Sequence, residues 1–158
     1  MVIKELRDED FVNYKKPSMF IAFPSCSWKC EKECGMRVCQ NSALAQAPNI
    51  EIDDRYIIGR YLKNPITKAI VLGGLEPFDS WIDMCELIDT IRQLTDDDII
   101  IYTGYRADEI ACRTYWLGNK YKNIIVKFGR FIPDQEKRYD EVLGVELASS
   151  NQYAEVIS

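Results

Sequence analysis

The sequence predicts an α/β fold: a single domain with an open parallel sheet, or a partial (β/α) barrel, with helices packed outside. Three observations predict it. Short, continuous apolar runs alternate with segments of helical period, the pattern of a parallel sheet covered by helices. The 158 residues are enough for a real core but fall short of the ~250 that a full eightfold barrel needs. No internal repeat or low-complexity linker divides the chain, so residues 1–158 read as one domain.

The elements follow in order. Ser18 to Pro24 is the first expected strand, and its carboxyl end delivers a cysteine-rich loop, residues 25–41. Asp53 to Leu62 forms a helix with Asp53 or Asp54 as N-cap and Ile57, Ile58, Tyr61 and Leu62 inward. Ala69 to Gly74 is a buried strand. Asp79 caps a helix in which Trp81, Met84, Cys85, Ile88 and Ile91 recur at steps of three and four. Asp98 to Gly104 is an isoleucine-rich strand, Ala107 to Leu117 a helix, Asn123 to Gly129 a strand, and Gly144 to Ser149 a short last strand. Crossovers are expected to be right-handed. Ligands of such folds sit at the carboxyl ends of the strands. The cysteine loop, Gly73-Gly74, Thr103-Gly104-Tyr105 and Gly129-Arg130 all fall there.

Composition narrows the chemistry. The net charge is −5 and there is no basic run, which disfavours a phosphate-backbone ligand. No apolar run approaches the ~20 residues of a membrane span, and the N-terminus lacks an apolar signal region, so a cytoplasmic protein is expected. The chain has no histidine, which removes histidine bases, histidine triads and histidine-containing zinc sites. Four of the six cysteines, Cys26, Cys30, Cys34 and Cys39, lie within fourteen residues. Without an export signal this reads as a metal site rather than a disulfide framework. Thiolates so spaced suit a cluster with three protein ligands and one open iron, a fully ligated cluster, or a four-thiolate zinc site. The loop lacks the two distant cysteine pairs of a zinc ribbon and directly follows a core strand. Cys85 and Cys112 read as core thiols, Trp81 and Trp116 as packing residues, and Asp96 to Asp98 as a solvated loop. Trp28 reads either as a shield for a cluster or as a partner contact.

The cysteine loop resembles the cluster motif of radical S-adenosylmethionine enzymes, C-x3-C-x-Φ-C, where Φ is apolar or aromatic. Cys26 and Cys30 match the first spacing, and Val38-Cys39 matches the ending. Gln40-Asn41 follows where the ribonucleotide reductase activases of this family carry an aromatic or histidine and then asparagine. Eight residues separate Cys30 from Cys39, against two in the family pattern. An extended residue spans ~3.3 Å, so such a segment arches out and returns without strain. The resemblance implies Cys26, Cys30 and Cys39 as cluster ligands, with Cys34 the alternative third ligand. Gly73-Gly74-Leu75-Glu76-Pro77 resembles the family's Gly-Gly-Glu-Pro element, with Leu75 inserted. Tyr102 to Tyr105 resembles a Tyr-Thr-Gly-Tyr segment of the anaerobic ribonucleotide reductase activases. Gly129-Arg130-Phe131 resembles their Asp-Gly-Arg-Phe, with Phe128 replacing the acid. Ser149 to Gln152 resembles their Gly-Ser-Ser-Asn-Gln ending, with Ala148 replacing glycine. The resemblance runs from about Phe20 to Gln152.

What it implies is a [4Fe-4S] cluster and S-adenosylmethionine as cofactors, with cofactor contacts from Gly73, Gly74, Glu76, Thr103, Val38 and Asn41. It implies no catalytic residue beyond cluster and cofactor. It also implies a one-electron donor such as flavodoxin, and a glycyl-radical enzyme, anaerobic ribonucleotide reductase, as the protein substrate. Two other readings stand beside it. A radical enzyme acting on a small molecule, such as a modified purine precursor, needs a closed pocket with polar recognition groups. A non-catalytic metal interaction module needs only the cysteines.

Overall fold

A computed structural model describes residues 1–158. The elements are β1 (Val2–Ile3), β2 (Glu5–Asp10), β3 (Ser18–Phe23), α1 (Lys29–Cys34), α2 (Ser42–Gln46), β4 (Ile50–Glu51), α3 (Asp54–Lys63), β5 (Ala69–Gly74), α4 (Trp81–Arg92), β6 (Asp98–Tyr102), α5 (Ala111–Lys120), β7 (Ile124–Phe128), β8 (Arg138–Asp140), β9 (Val145–Leu147) and β10 (Tyr153–Val156). Short 3-10 turns at Pro77–Ser80 and Ala107–Ile110 precede α4 and α5.

Six strands form one sheet in the order β10-β7-β6-β5-β3-β2. The four central strands run parallel, as the continuous apolar runs require, and both edges are antiparallel. The sheet does not close into a barrel. The alternation of side chains gives it two unlike faces. On one, Met19, Ile21 and Phe23 of β3, Ile70 and Leu72 of β5, Ile99 and Ile101 of β6, and Ile124, Val126 and Phe128 of β7 pack with the helices in a cluster of 22 buried residues. On the other, Ala69, Val71, Ile100 and Ile125 meet Tyr14, Leu143, Leu147 and Ala154 in a cluster of only 8. The segment around β8 and β9 thus covers part of this second face. Phe20, level with Val71 and Ile100, lines a cleft together with Tyr102 and Lys127, which lie further toward the carboxyl ends. No helix is long and apolar enough to cross a membrane.

Several expectations need correction. The strand expected over Gly144–Ser149 is shorter, pairs with β8 outside the main sheet, and is not the last, because β10 follows it and joins the main sheet. Leu62 is exposed, because α3 turns only Ile57, Ile58 and Tyr61 to the core. Asp53 does cap α3, accepting from the amides of Arg55 and Tyr56. Asp79 does not cap α4: it sits in the 3-10 turn and accepts from the Ser27 amide (2.5 Å) and the Tyr105 hydroxyl (2.6 Å). Cys85 is buried, but Cys112 is exposed, because α5 buries only Leu117. Asp97 and Asp98 are not freely solvated. Tyr61 donates to Asp97 at 2.6 Å, and Tyr14 and Lys16 donate to Asp98 at 2.9 and 2.5 Å.

Candidate functional site

The cleft has a volume of about 530 Å³ and lies at the carboxyl ends of the parallel strands. Its wall brings together Cys26, Cys30 and Cys39 with Gly73, Gly74, Glu76, Thr103 and Asn41. Cys34 and Val38, both half-buried, do not line it. The loop leaves β3, adopts a left-handed turn at Trp28 (φ 57°), and forms the short helix α1, which ends at Gly35 (φ 67°). Its entry is held by the Ser27 amide on Asp79, and Trp28 donates its amide to the Cys26 sulfur at 3.2 Å. Its exit is held by Asn41, whose side-chain amide donates to the Gly74 carbonyl at 2.8 Å. Trp28 itself lines the cleft.

Burial pushes the Cys26 thiol up to about 11 and raises that of Cys30. Opposing this at Cys30, the Phe131 amide and the Arg130 guanidinium favour the thiolate. No three Cys, Asp or Glu side chains converge as a single-ion site. A multi-iron cluster is larger than one ion and takes its thiolates from further apart. Half-buried cysteines on one wall, backed by a cation and main-chain donors, are a donor set that fits an iron–sulfur cluster.

Glu76 is only 4% exposed. It accepts from the Phe78 amide (3.1 Å), the Thr103 hydroxyl (2.8 Å) and the Gly104 amide (2.8 Å). Burial nevertheless pushes its carboxyl up to about 7. Thr103 accepts in turn from the Tyr105 amide, so the chain after β6 is tied to the chain after β5 through this one carboxylate. An ideal Cβ at Gly104 would stand 3.4 Å from the Cys30 sulfur and 3.6 Å from Glu76 Oε2, which puts these groups side by side.

Two features escaped the sequence reading. The first is Lys127, which is 6% exposed and lines the cleft. It donates to the Gly129 carbonyl at 3.0 Å and has no carboxylate in ion-pair reach. Burial lowers its ammonium to about 8. The signal was present: one charged residue inside Ile124-Ile125-Val126-Lys127-Phe128, in phase with Ile125 on the cleft face. The second is an ion network. Arg130, 5% exposed, pairs with Glu109 at 2.7 Å and Glu33 at 3.0 Å. Arg106 also reaches Glu33 (3.2 Å), and Lys29 reaches Glu109 (3.3 Å). The expected Ser149–Gln152 segment braces the same turn: Asn151 donates to the Arg130 carbonyl (2.8 Å) and Gln152 to that of Gly129 (3.2 Å).

Fold and cleft together define an α/β protein that presents cysteine thiols at the carboxyl edge of a parallel sheet. The model of the 4Fe-4S single cluster domain family matches residues 18–153. The chain belongs to that family, and membership supports an iron–sulfur cluster and an iron–sulfur-dependent function. No curated protein and no solved structure matches the chain.

Proposed function

We propose that this chain is a radical S-adenosylmethionine activase that installs a glycyl radical on a partner enzyme, an anaerobic ribonucleotide reductase, with its electron drawn from a donor such as flavodoxin. The observation that carries this reading is the meeting, in one open cleft, of the cysteine loop and the Gly73-Gly74 strand end. Cys26, Cys30 and Cys39 would hold the cluster. A cluster held there would supply the one-electron reductive cleavage of bound S-adenosylmethionine, and through it abstraction of a hydrogen atom from the partner's glycine. The protein's part is positioning and exclusion of water. Gly73 and Gly74 bring main chain to the cofactor, Asn41 fixes the Gly74 carbonyl, and Glu76 with Thr103 sets the distance between the two strand ends. The partner's glycine must come within a few ångströms of the cofactor, so the proteins dock at the carboxyl edge, around residues 31–38.

Two experiments test this. Single Cys→Ala variants are reconstituted anaerobically and assayed for iron and sulfide. Cys34→Ala is expected to keep its cluster, whereas Cys26→Ala, Cys30→Ala and Cys39→Ala lose it. Loss in Cys34→Ala with retention in Cys39→Ala transfers the third-ligand role to Cys34. Reconstituted protein, reductant, S-adenosylmethionine and the candidate reductase are then mixed without oxygen. A glycyl doublet in the electron paramagnetic resonance spectrum that needs every component is the expected result. Cofactor cleavage with no protein radical across glycyl-radical partners sinks the activase reading.

A second reading, a small-molecule radical enzyme, has one observation in its favour. Lys127 is a buried ammonium without an ion-pair partner, facing the cleft, and is the kind of polar group such a pocket needs for an anionic ligand. In that case Lys127→Met removes turnover of the small substrate at least tenfold while iron content stays at the wild-type level. Under the activase reading, the glycyl doublet survives without any added small molecule.

A further inference from the structure

The second face of the sheet changes character over one row of side chains. Phe20, Val71, Ile100 and Ile125 stand level, and all are apolar. In the next row toward the carboxyl ends Tyr102 pairs with Lys127. Gly73 leaves that row open, since a Cβ there would stand 3.7 Å from Tyr102 Cβ and 2.9 Å from the Phe20 ring. Leu147 of β9 lines the same cleft. The cleft thus has apolar walls and a buried cation.

Lys127 is held but not neutralised. Its Nζ donates once, to the Gly129 carbonyl, and Gln152 already donates to that oxygen at 3.2 Å, so the turn does not need the lysine. An ammonium has three N–H donors, so two remain. The Tyr102 ring, 5.7 Å from Nζ, offers no second acceptor oxygen, because its hydroxyl donates to the Asn13 carbonyl. Arg7 pairs with Glu5 and Asp10, Glu146 pairs with Lys137, and the Glu76 carboxylate takes three donors, none of them Lys127. A buried ammonium without a counter-charge is costly, and methionine would fill the same space without that cost.

We propose that Lys127 anchors a carboxylate-binding subsite of the cleft, which takes a small monocarboxylate whose apolar body lies against Phe20, Tyr102 and Leu147. Two free N–H donors on one cation match the two oxygens of a carboxylate, whereas a phosphate dianion calls for a second cation, and Arg7 is already paired. The volume of about 530 Å³ holds more than the charged group alone. The carboxylate belongs to the cofactor or to a second molecule. The inference rests on the residues of the cleft and not on the activase reading.

The test is a nuclear magnetic resonance titration of the cluster-free full chain with benzoate, benzamide and inorganic phosphate. Benzoate is expected to shift the amides of Tyr102 and Gly129 and to bind at least tenfold more tightly than benzamide, its neutral isostere. Phosphate binds at least tenfold more weakly than benzoate. Lys127→Met lowers benzoate affinity at least tenfold, leaves benzamide unchanged, and does not lower the urea midpoint. Equal affinity for benzoate and benzamide in the wild type overturns the proposal without recourse to any variant. So does phosphate that binds as tightly as benzoate, which makes the site a general anion hole. So does a lower midpoint in Lys127→Met, which makes the lysine a brace for the Gly129 turn. In anaerobically reconstituted protein, benzoate displaced by S-adenosylmethionine in proportion identifies the carboxylate as the cofactor's own, and benzoate retained beside it identifies a second molecule; both support the subsite. A missing glycyl doublet leaves this inference standing, and a protein that does not bind benzoate leaves the activase reading untouched.

Discussion

Replacing Gly74 by valine is expected to destabilise the whole chain, whether or not a ligand touches that position. Gly74 has φ +91°, a conformation that L side chains rarely adopt. An added Cβ would stand 2.7 Å from Ala22 Cα, Ala22 Cβ and the Phe23 nitrogen. These atoms belong to β3, the strand with which Gly74 pairs, and they cannot rotate aside. Backbone strain and overpacking together cost about 3 kcal/mol or more. The check is the urea midpoint of the cluster-free chain, and an unchanged midpoint would refute the close approach of β3 and β5. Gly73 differs. A Cβ there meets the Phe20 ring at 2.9 Å, the far end of a side chain that can turn. Gly73→Ala therefore narrows the cleft at a smaller cost in stability, and it is the better probe of cofactor contact.

Removing the Glu76 carboxylate is the second large effect. In Glu76→Ala the Phe78 amide, the Gly104 amide and the Thr103 hydroxyl lose their acceptor together. At about 1–3 kcal/mol for each buried group left unsatisfied, the loss is on the order of 4 kcal/mol. The same carboxyl gives stability a pH dependence. It titrates at about 7 in the folded chain, above an unfolded value of about 4.3. The folded state binds more protons between those values, so stability falls as pH rises from about 4.3 to 7 and then levels. Glu109 acts in the opposite sense. Arg130 holds it down to about 2, so its contribution is present above about 4.3 and is lost as pH falls toward 2. Cluster-free protein should therefore show its highest urea midpoint at about pH 4.3, where the two contributions cross, and a decline from there to pH 7. Glu76→Gln should flatten that decline. A wild-type midpoint that climbs from pH 5 to pH 7 contradicts the assignment.

The central sheet was legible because its strands are apolar on both faces. Ser18–Phe23, Ala69–Gly74, Asp98–Tyr102 and Ile124–Phe128 fall within two residues of the expected ends. The edges were not legible. β2 is Glu5-Leu6-Arg7-Asp8-Glu9-Asp10, a charged run tolerable only where one side of a strand meets water, and its composition resembles a solvated tail. β10 is four residues long with a single buried alanine, too little for a period to show. In the cleft, cysteines and paired glycines announce themselves by residue type. The partners of Arg130 do not, because Glu33, Glu109 and Arg130 are far apart in sequence and only the crossovers bring them together. Asp79 misled for a related reason. A carboxylate before a helix is normally a cap, but here a tertiary partner, the Ser27 amide, claims it.

The two anchors of the cysteine loop, Ser27 on Asp79 and Asn41 on Gly74, have a consequence for the protein's life with oxygen. Neither apolar cluster contains a residue from 25–41, so the core owes nothing to a metal. Small metallo-domains that fold only around their ion are destroyed when the ion is stripped. Here folding itself brings the loop's ends together and bears the entropy of closing it. Damage by an oxidant is then a local injury to a standing scaffold, and rebuilding the cluster is a repair made in place rather than a second act of folding.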